Sequence, residues 1–197
     1  KYLAHRAVGD LIQLHDLTTG EIMSEWVSLQ PTIDHLEFSP DGQVLLSSSS
    51  FTEPSTLLWN FQSGEPLLRL DGGAGTFSSD GKWIVTVAYD PDTLVTAAKI
   101  WDTANGTEVQ SISDMFTFPF IGKITFSPSG ETLALETLNS VVFWSIDEGQ
   151  VINTIPITQG YVEGFDYSPD GSLFVIAIHH ETTGIGIWDM TTGEMVN

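Results

Sequence analysis

The chain has no cysteine, which excludes disulfides and thiol chemistry and, with them, thiolate-held zinc and iron–sulfur centres within its 197 residues. Basic residues are nearly as scarce: 6 Lys+Arg stand against 26 Asp+Glu, a formal charge of −20. Binding to a phosphate backbone or to anionic lipid heads depends on basic groups that displace counterions. Nucleic acid and membrane are therefore not expected as partners, whereas a basic peptide, a basic protein face or a divalent cation would be drawn in. No uninterrupted apolar run approaches the ~20 residues of a spanning helix. The first residues, Lys1-Tyr2-Leu3-Ala4-His5-Arg6, carry no apolar core of signal-peptide length. They also lack an initiator Met, so upstream sequence is expected. The compartment is left open, with the cytoplasm as the expectation. A 3.6-residue apolar periodicity with caps is missing as well, which removes helix from the reading.

What the chain does have is repetition. Four segments follow an aromatic residue with Ser, one or two turn residues and Gly: Phe38-Ser39-Pro40-Asp41-Gly42, Phe77-Ser78-Ser79-Asp80-Gly81, Phe126-Ser127-Pro128-Ser129-Gly130 and Tyr167-Ser168-Pro169-Asp170-Gly171. A second mark falls between them, at Trp59-Asn60, Trp101-Asp102, Trp144-Ser145 and Trp188-Asp189, with His15-Asp16 as a weaker forerunner. The Trp positions are 42, 43 and 44 residues apart, and two marks locked to one period define a repeat architecture. Within the unit from Ile121 to Ile155 the β-forming runs are Ile121–Phe126, Leu133–Thr137, Val141–Ser145 and Val151–Ile155, separated by turn residues. Each unit is thus four short strands, and a sheet with two apolar faces buries them by stacking on its neighbours. The strand set near Gly72–Phe77 is the poorest match because it is rich in glycine.

These residues resemble the WD-repeat β-propeller family: the Phe-Ser-Pro-Asp-Gly run after the first strand, the Trp-Asp pair closing the third, and the Thr-Thr-Gly run that follows (Thr18-Thr19-Gly20, Thr191-Thr192-Gly193). The resemblance implies an all-β chain, a β-propeller of four-stranded antiparallel blades around a channel, of which this chain covers about four and a half. The blades would run 1–28 (partial), 29–70, 71–113, 114–157 and 158–197 (partial). The family's Gly-His pair before the first strand, which with a Ser/Thr and the Trp ties each blade by hydrogen bonds, has no His here. His35 lies within a first strand, out of register, and Gly122-Lys123 and Gly160-Tyr161 offer no imidazole. Blades held mainly by packing are therefore expected. The first blade starts at its second strand and the last stops after its third, so a segment of a longer propeller is expected, most simply a seven-bladed one, with the remaining blades from the same longer chain or from a partner chain.

Motifs for chemistry are sparse. No nucleophile elbow, phosphate loop, HExxH or EF-hand run occurs, and no cofactor or metal is expected. Adjacent residues of a strand point to opposite faces, so His179 and His180 read as rim histidines and not as a ligand pair. Asp90-Pro91-Asp92 lacks the following Gly and distal Glu of a calcium loop and reads as a turn. Asp34 and Glu163 occupy equivalent places in two first strands and would face the channel mouth. Asp114–Phe120 is the one conspicuous segment outside the repeat: Phe116, Phe118 and Phe120 alternate, so an extended chain would put all three on one side, where a patch marks an interaction site. The resulting expectation is a non-catalytic scaffold that holds a protein or peptide on the top face and channel mouth through Asp34, Tyr89, Phe116, Phe118, Phe120, Tyr161, Glu163 and His180. Two alternatives stand beside it: a hydrolase-like propeller enzyme using carboxylates and His at the mouth, and a purely architectural subunit of a larger assembly.

Overall fold

The computed structural model describes residues 1–7, 11–50, 53–90, 95–113, 122–180 and 182–196, with the side chains of 90, 95, 180, 182 and 183 excepted. Eighteen strands form five antiparallel sheets, and no helix occurs among the described residues. The first sheet holds β1 (Tyr2–Ala7), β2 (Leu11–Asp16) and β3 (Ile22–Val27). The second holds β4 (His35–Phe38), β5 (Val44–Ser49), β6 (Ser55–Asn60) and β7 (Glu65–Asp71). The third holds β8 (Gly73–Phe77), β9 (Trp83–Asp90), β10 (Val95–Asp102) and β11 (Glu108–Ile112). The fourth holds β12 (Ile124–Phe126), β13 (Thr132–Glu136), β14 (Ser140–Ser145) and β15 (Gln150–Pro156), and the fifth β16 (Tyr161–Tyr167), β17 (Leu173–His180) and β18 (Thr182–Asp189). In every sheet the spatial order is the chain order.

The repeated turn explains itself atom by atom. The Ser39 hydroxyl donates to Asp41 Oδ1 at 2.6 Å, the same carboxylate oxygen accepts the Gln43 N–H at 3.0 Å, and the Val44 N–H returns to Ser39 Oγ at 2.9 Å. Gly42 closes the turn at φ 68°, a left-handed conformation that glycine adopts without strain. The pattern recurs at Ser78/Asp80 and Ser168/Asp170, and Ser129 takes the acid's place in the fourth sheet. Donors aimed at a carboxylate favour its charged form. The Ser39 hydroxyl, followed by the Gln43 N–H, lowers the Asp41 pKa, and the Ser168 and Ser172 groups bring Asp170 to about 2.

Strand alternation assigns each apolar residue to one of two neighbours. Leu45, Leu57 and Trp59 face the first sheet and pack with Ile12 and Leu14, while Leu46 and Leu58 face the third and pack with Phe77, Ile84 and Trp101. Val85, Ile100, Leu133 and Leu135 fill the next interface, and Ala134, Phe143, Phe165, Phe174 and Ile176 the last. Consecutive sheets therefore stack face to face. The glycine-rich β8 is explained by the same stacking. The Gly75 N–H donates to Ser48 Oγ at 2.9 Å, and Thr56 Oγ1 donates to the Gly72 carbonyl at 2.9 Å. A Cβ at Gly75 would lie 2.6 Å from Thr56 Oγ1, so only glycine lets β8 come this close to β5 and β6.

Packing is not the sole bond within the sheets: the second and third also carry an indole–hydroxyl tie. The buried Gln30 takes the place where an imidazole was sought. Its Nε2 donates to the Ser55 carbonyl at 2.7 Å, its Oε1 accepts the Ser47 hydroxyl, and Ser47 Oγ accepts the Trp59 indole N–H at 2.8 Å. In the third sheet Thr86 Oγ1 accepts the Trp101 N–H at 2.9 Å and donates to the Asp71 carbonyl at 2.6 Å. In the fourth, Leu135 stands at the hydroxyl position, and Trp144 donates instead to Gln110 Oε1 of the third sheet at 2.8 Å.

Candidate functional site

In an antiparallel sheet the start of the first strand lies beside the end of the second. That juxtaposition recurs in the second, third and fourth sheets and brings their strand ends together around a cleft of about 350 Å³. Its lining is Asp34, His35 and Ser50 from the second sheet, Ala74, Gly75, Thr76 and Val87 from the third, and Gly122, Lys123 and Ile124 from the fourth. Counting back from the aromatic residue of each turn motif, His35, Ala74 and Lys123 hold the same place, three residues before Phe38, Phe77 and Phe126. The repeat period itself thus carries the site. Side chains are small along most of the lining, so backbone groups are within reach of a ligand, and Ala74 adopts a left-handed φ of 50° where β8 bulges away from β9.

Three groups give the cleft its charge. Asp34 Oδ2 accepts the Ser50 N–H at 2.8 Å, which locks the end of β5 against the start of β4. His35 Nε2 lies 3.5 Å from Glu37 Oε2. That hydrogen bond, with the charges of Glu37 and Asp34, raises the imidazole pKa above its ordinary value against the opposing effect of partial burial. Lys123 is positioned by its own N–H, which donates to Glu136 Oε2 at 2.8 Å, and its ammonium sits 5.7 Å from the centre of the Phe165 ring. A second, smaller hollow of about 180 Å³ adjoins Asp34 and His35 and is bordered by Arg6, Ile33 and Leu36.

The sequence-predicted residues divide accordingly. Asp34 lines the cleft. Glu163, expected at the same mouth, does not line it, and neither does any other described residue of the fifth sheet; Glu163 lies beside a register shift between Val162 and Gly164, and its Oε1 bonds His179 Nδ1 at 3.1 Å. Tyr161 stacks on the same imidazole, 5.1 Å between ring centres, so Tyr161, His179 and Glu163 form a separate polar cluster on the fifth sheet. Tyr89 is exposed near the end of β9, opposite Thr96, away from the cleft lining. His180 pairs through its backbone with Thr182 at the tip of β17, and its side chain lies outside the described residues. Phe116, Phe118 and Phe120 also lie outside them. His35, Ser50, Ala74 and Lys123 were missed. Extending the Asp34–Glu163 equivalence to the third and fourth repeats gives Gly73 and Gly122, each immediately before the lining residues Ala74 and Lys123.

This arrangement defines a class by fold: antiparallel sheets, each a meander, stacked in chain order. The same fold is found in the solved structure of Kuenenia stuttgartiensis hydrazine synthase, which is 19% identical to this chain with a TM-score of 0.73. The match covers 98% of this chain and 61% of the other, so the chain spans about three fifths of its neighbour's length. No protein-family model matches the chain, and no curated protein does.

Proposed function

We propose that the chain is part of a WD-type β-propeller and serves as a non-catalytic docking scaffold, with the cleft between the second, third and fourth sheets holding an extended segment of a partner protein. The cleft carries this reading: one concave site built by equivalent positions of three repeats, with accessible backbone and a few placed charges, is what a peptide ligand uses. The Gln30–Ser47–Trp59 chain supports the WD assignment, because it is the blade tie of that family with an amide in place of the imidazole. The surplus of carboxylates steers basic segments toward the molecule, and Asp34 offers them an acceptor inside the cleft. Paired-carboxylate hydrolysis requires two such groups about 5 to 9.5 Å apart around one site, whereas Asp34 is the one carboxylate on the described cleft lining.

The test is fluorescence anisotropy with short labelled peptides of basic, neutral and acidic composition. Basic peptides should bind in a salt-dependent manner. Thr76→Arg, which fills the cleft, should weaken them about tenfold or more, and Asp34→Asn, which keeps the acceptor for Ser50, should weaken them less. Equal binding by wild type and Thr76→Arg would refute the assignment of the cleft.

A further inference from the structure

The hydroxyl–indole tie of the second and third sheets has a counterpart in the first, made of different chemistry. Trp59 pairs with Leu45, Trp101 with Ile84 and His15 with Leu3, each beside a register shift. Two residues along the partner strand stand Ser47, Thr86 and His5. His15 and His5 therefore replace the indole and the hydroxyl, and their Nε2 atoms lie 2.9 Å apart. The ring centres are 4.9 Å apart, close to the greatest separation that this nitrogen spacing permits, so the two rings meet nitrogen to nitrogen and not face to face.

The tautomers follow from the partners. His5 Nδ1 is 3.0 Å from the Arg6 carbonyl. A carbonyl only accepts, so Nδ1 carries the hydrogen, and Nε2 of the neutral ring presents a bare lone pair. His15 Nε2 then donates its hydrogen to that lone pair. A ring whose Nδ1–H is held by a backbone carbonyl while Nε2 is free is the arrangement that orients metal-ligating histidines. Both rings are half-buried on the face of β1 and β2 opposite Ile12 and Leu14, which pack on the second sheet. Gln13 and Glu25, hydrogen-bonded to each other, share that outer face.

We propose that His5 and His15 form a divalent transition-metal site, in which a Cu²⁺ or Ni²⁺ ion replaces the hydrogen between the two Nε2 atoms. The His15 hydrogen moves to Nδ1 by tautomerisation, so the ring stays neutral, and both lone pairs turn to the ion. With metal–nitrogen bonds of about 2.1 Å, nitrogens at this spacing subtend about 90° at the ion, the cis angle of tetragonal and octahedral sites that suit copper and nickel. No group of three or more His, Asp or Glu ligands is gathered among the described residues, so water fills the other positions. Hard Mg²⁺ and Ca²⁺, which take oxygen ligands, are not accommodated.

The experiment is titration of the metal-free chain with Cu²⁺, Ni²⁺ and Mg²⁺ by calorimetry, with electron paramagnetic resonance of the copper form. One equivalent of Cu²⁺ should bind with hyperfine splitting from two imidazole nitrogens, and Mg²⁺ should not compete. His15→Gln should weaken copper about 100-fold or more, at least the cost of losing a second-sphere partner. The double variant His5→Ser with His15→Trp rebuilds the tie of the second and third sheets, so it should keep the wild-type circular dichroism while losing the metal. Copper bound equally by that variant, a single-nitrogen spectrum in wild type, or copper displaced by Mg²⁺ would each overturn the site.

Discussion

Gln30→Ala tests the claim that the second sheet is tied by a hydrogen-bond chain as well as by packing. Gln30 is 3% exposed, Ser47 0% and Trp59 1%, so water does not replace the lost partner readily. The substitution removes the donor to the Ser55 carbonyl and leaves the Ser47 hydroxyl without its acceptor. A buried polar group deprived of its partner costs about 1–3 kcal/mol, and two such losses with the small cavity bring the total to roughly 2–4 kcal/mol. With a urea slope of about 2–3 kcal/mol/M for a chain of this size, the midpoint should fall by about 1 M, followed by tryptophan fluorescence. Gln30→Met keeps the volume and should recover only the cavity part. A double-mutant cycle with Ser47→Ala should give a coupling of about 1 kcal/mol or more, because both variants break one chain. A Gln30→Ala midpoint within about 0.2 M of wild type, with unchanged slope, would refute the tie.

Acid should destabilise the chain through its turns. Asp41, Asp80 and Asp170, together with Asp16 of the His15-Asp16 turn and Asp189 of the Trp188-Asp189 turn, all have pKa values lowered by folding. Their contribution is complete above the unfolded carboxylate pKa near 3.8 and is lost as pH falls toward about 2, where Asp170 titrates. Melting temperature should drop steeply across that window, and Asp170→Asn should flatten the drop; a flat profile in wild type would count against the turn chemistry. Tyr167 stands where the other three repeats have Phe. Its hydroxyl is buried, has no hydrogen-bond partner among the described residues, and burial pushes the phenol pKa well up. Tyr167→Phe should raise stability by about 1 kcal/mol in urea titration, and a loss of that size would show that the hydroxyl is satisfied in solution.

Much of the strand pattern was readable because the repeat marks sit at strand ends, where turn chemistry is strict. Ser39–Asp41 and its copies need particular side chains, so they survive in recognisable form. The weakly read β8 is different: its glycines exist to let Ser48 and Thr56 reach its backbone, a requirement imposed by the neighbouring sheet and invisible within the strand's own sequence. Gln30 escaped notice because a long amide reaches Ser47 as an imidazole would, and geometry can be kept while residue type changes. The site was half legible. Asp34 falls in the cleft, but Glu163 belongs to the fifth sheet, which contributes nothing to the described lining, and which repeats share a cleft is not written in any one strand. Lys123 was passed over because Gly122-Lys123 was read only for the imidazole that it lacks.

Chain order equals spatial order in all five sheets, and each hydrophobic cluster joins two consecutive ones. Every sheet can therefore complete its own hydrogen bonding as soon as some forty residues have emerged, before any distant part of the chain is made. Its exposed face then acts as the template on which the next one condenses. Assembly of this kind is directional and modular: inserting, deleting or duplicating one repeat disturbs two interfaces and leaves the rest intact. For the cleft this means that its three contributing repeats can diverge separately. Changes at Asp34–His35, Ala74–Thr76 or Gly122–Lys123 retune one wall at a time while the stacking beneath them stays the same.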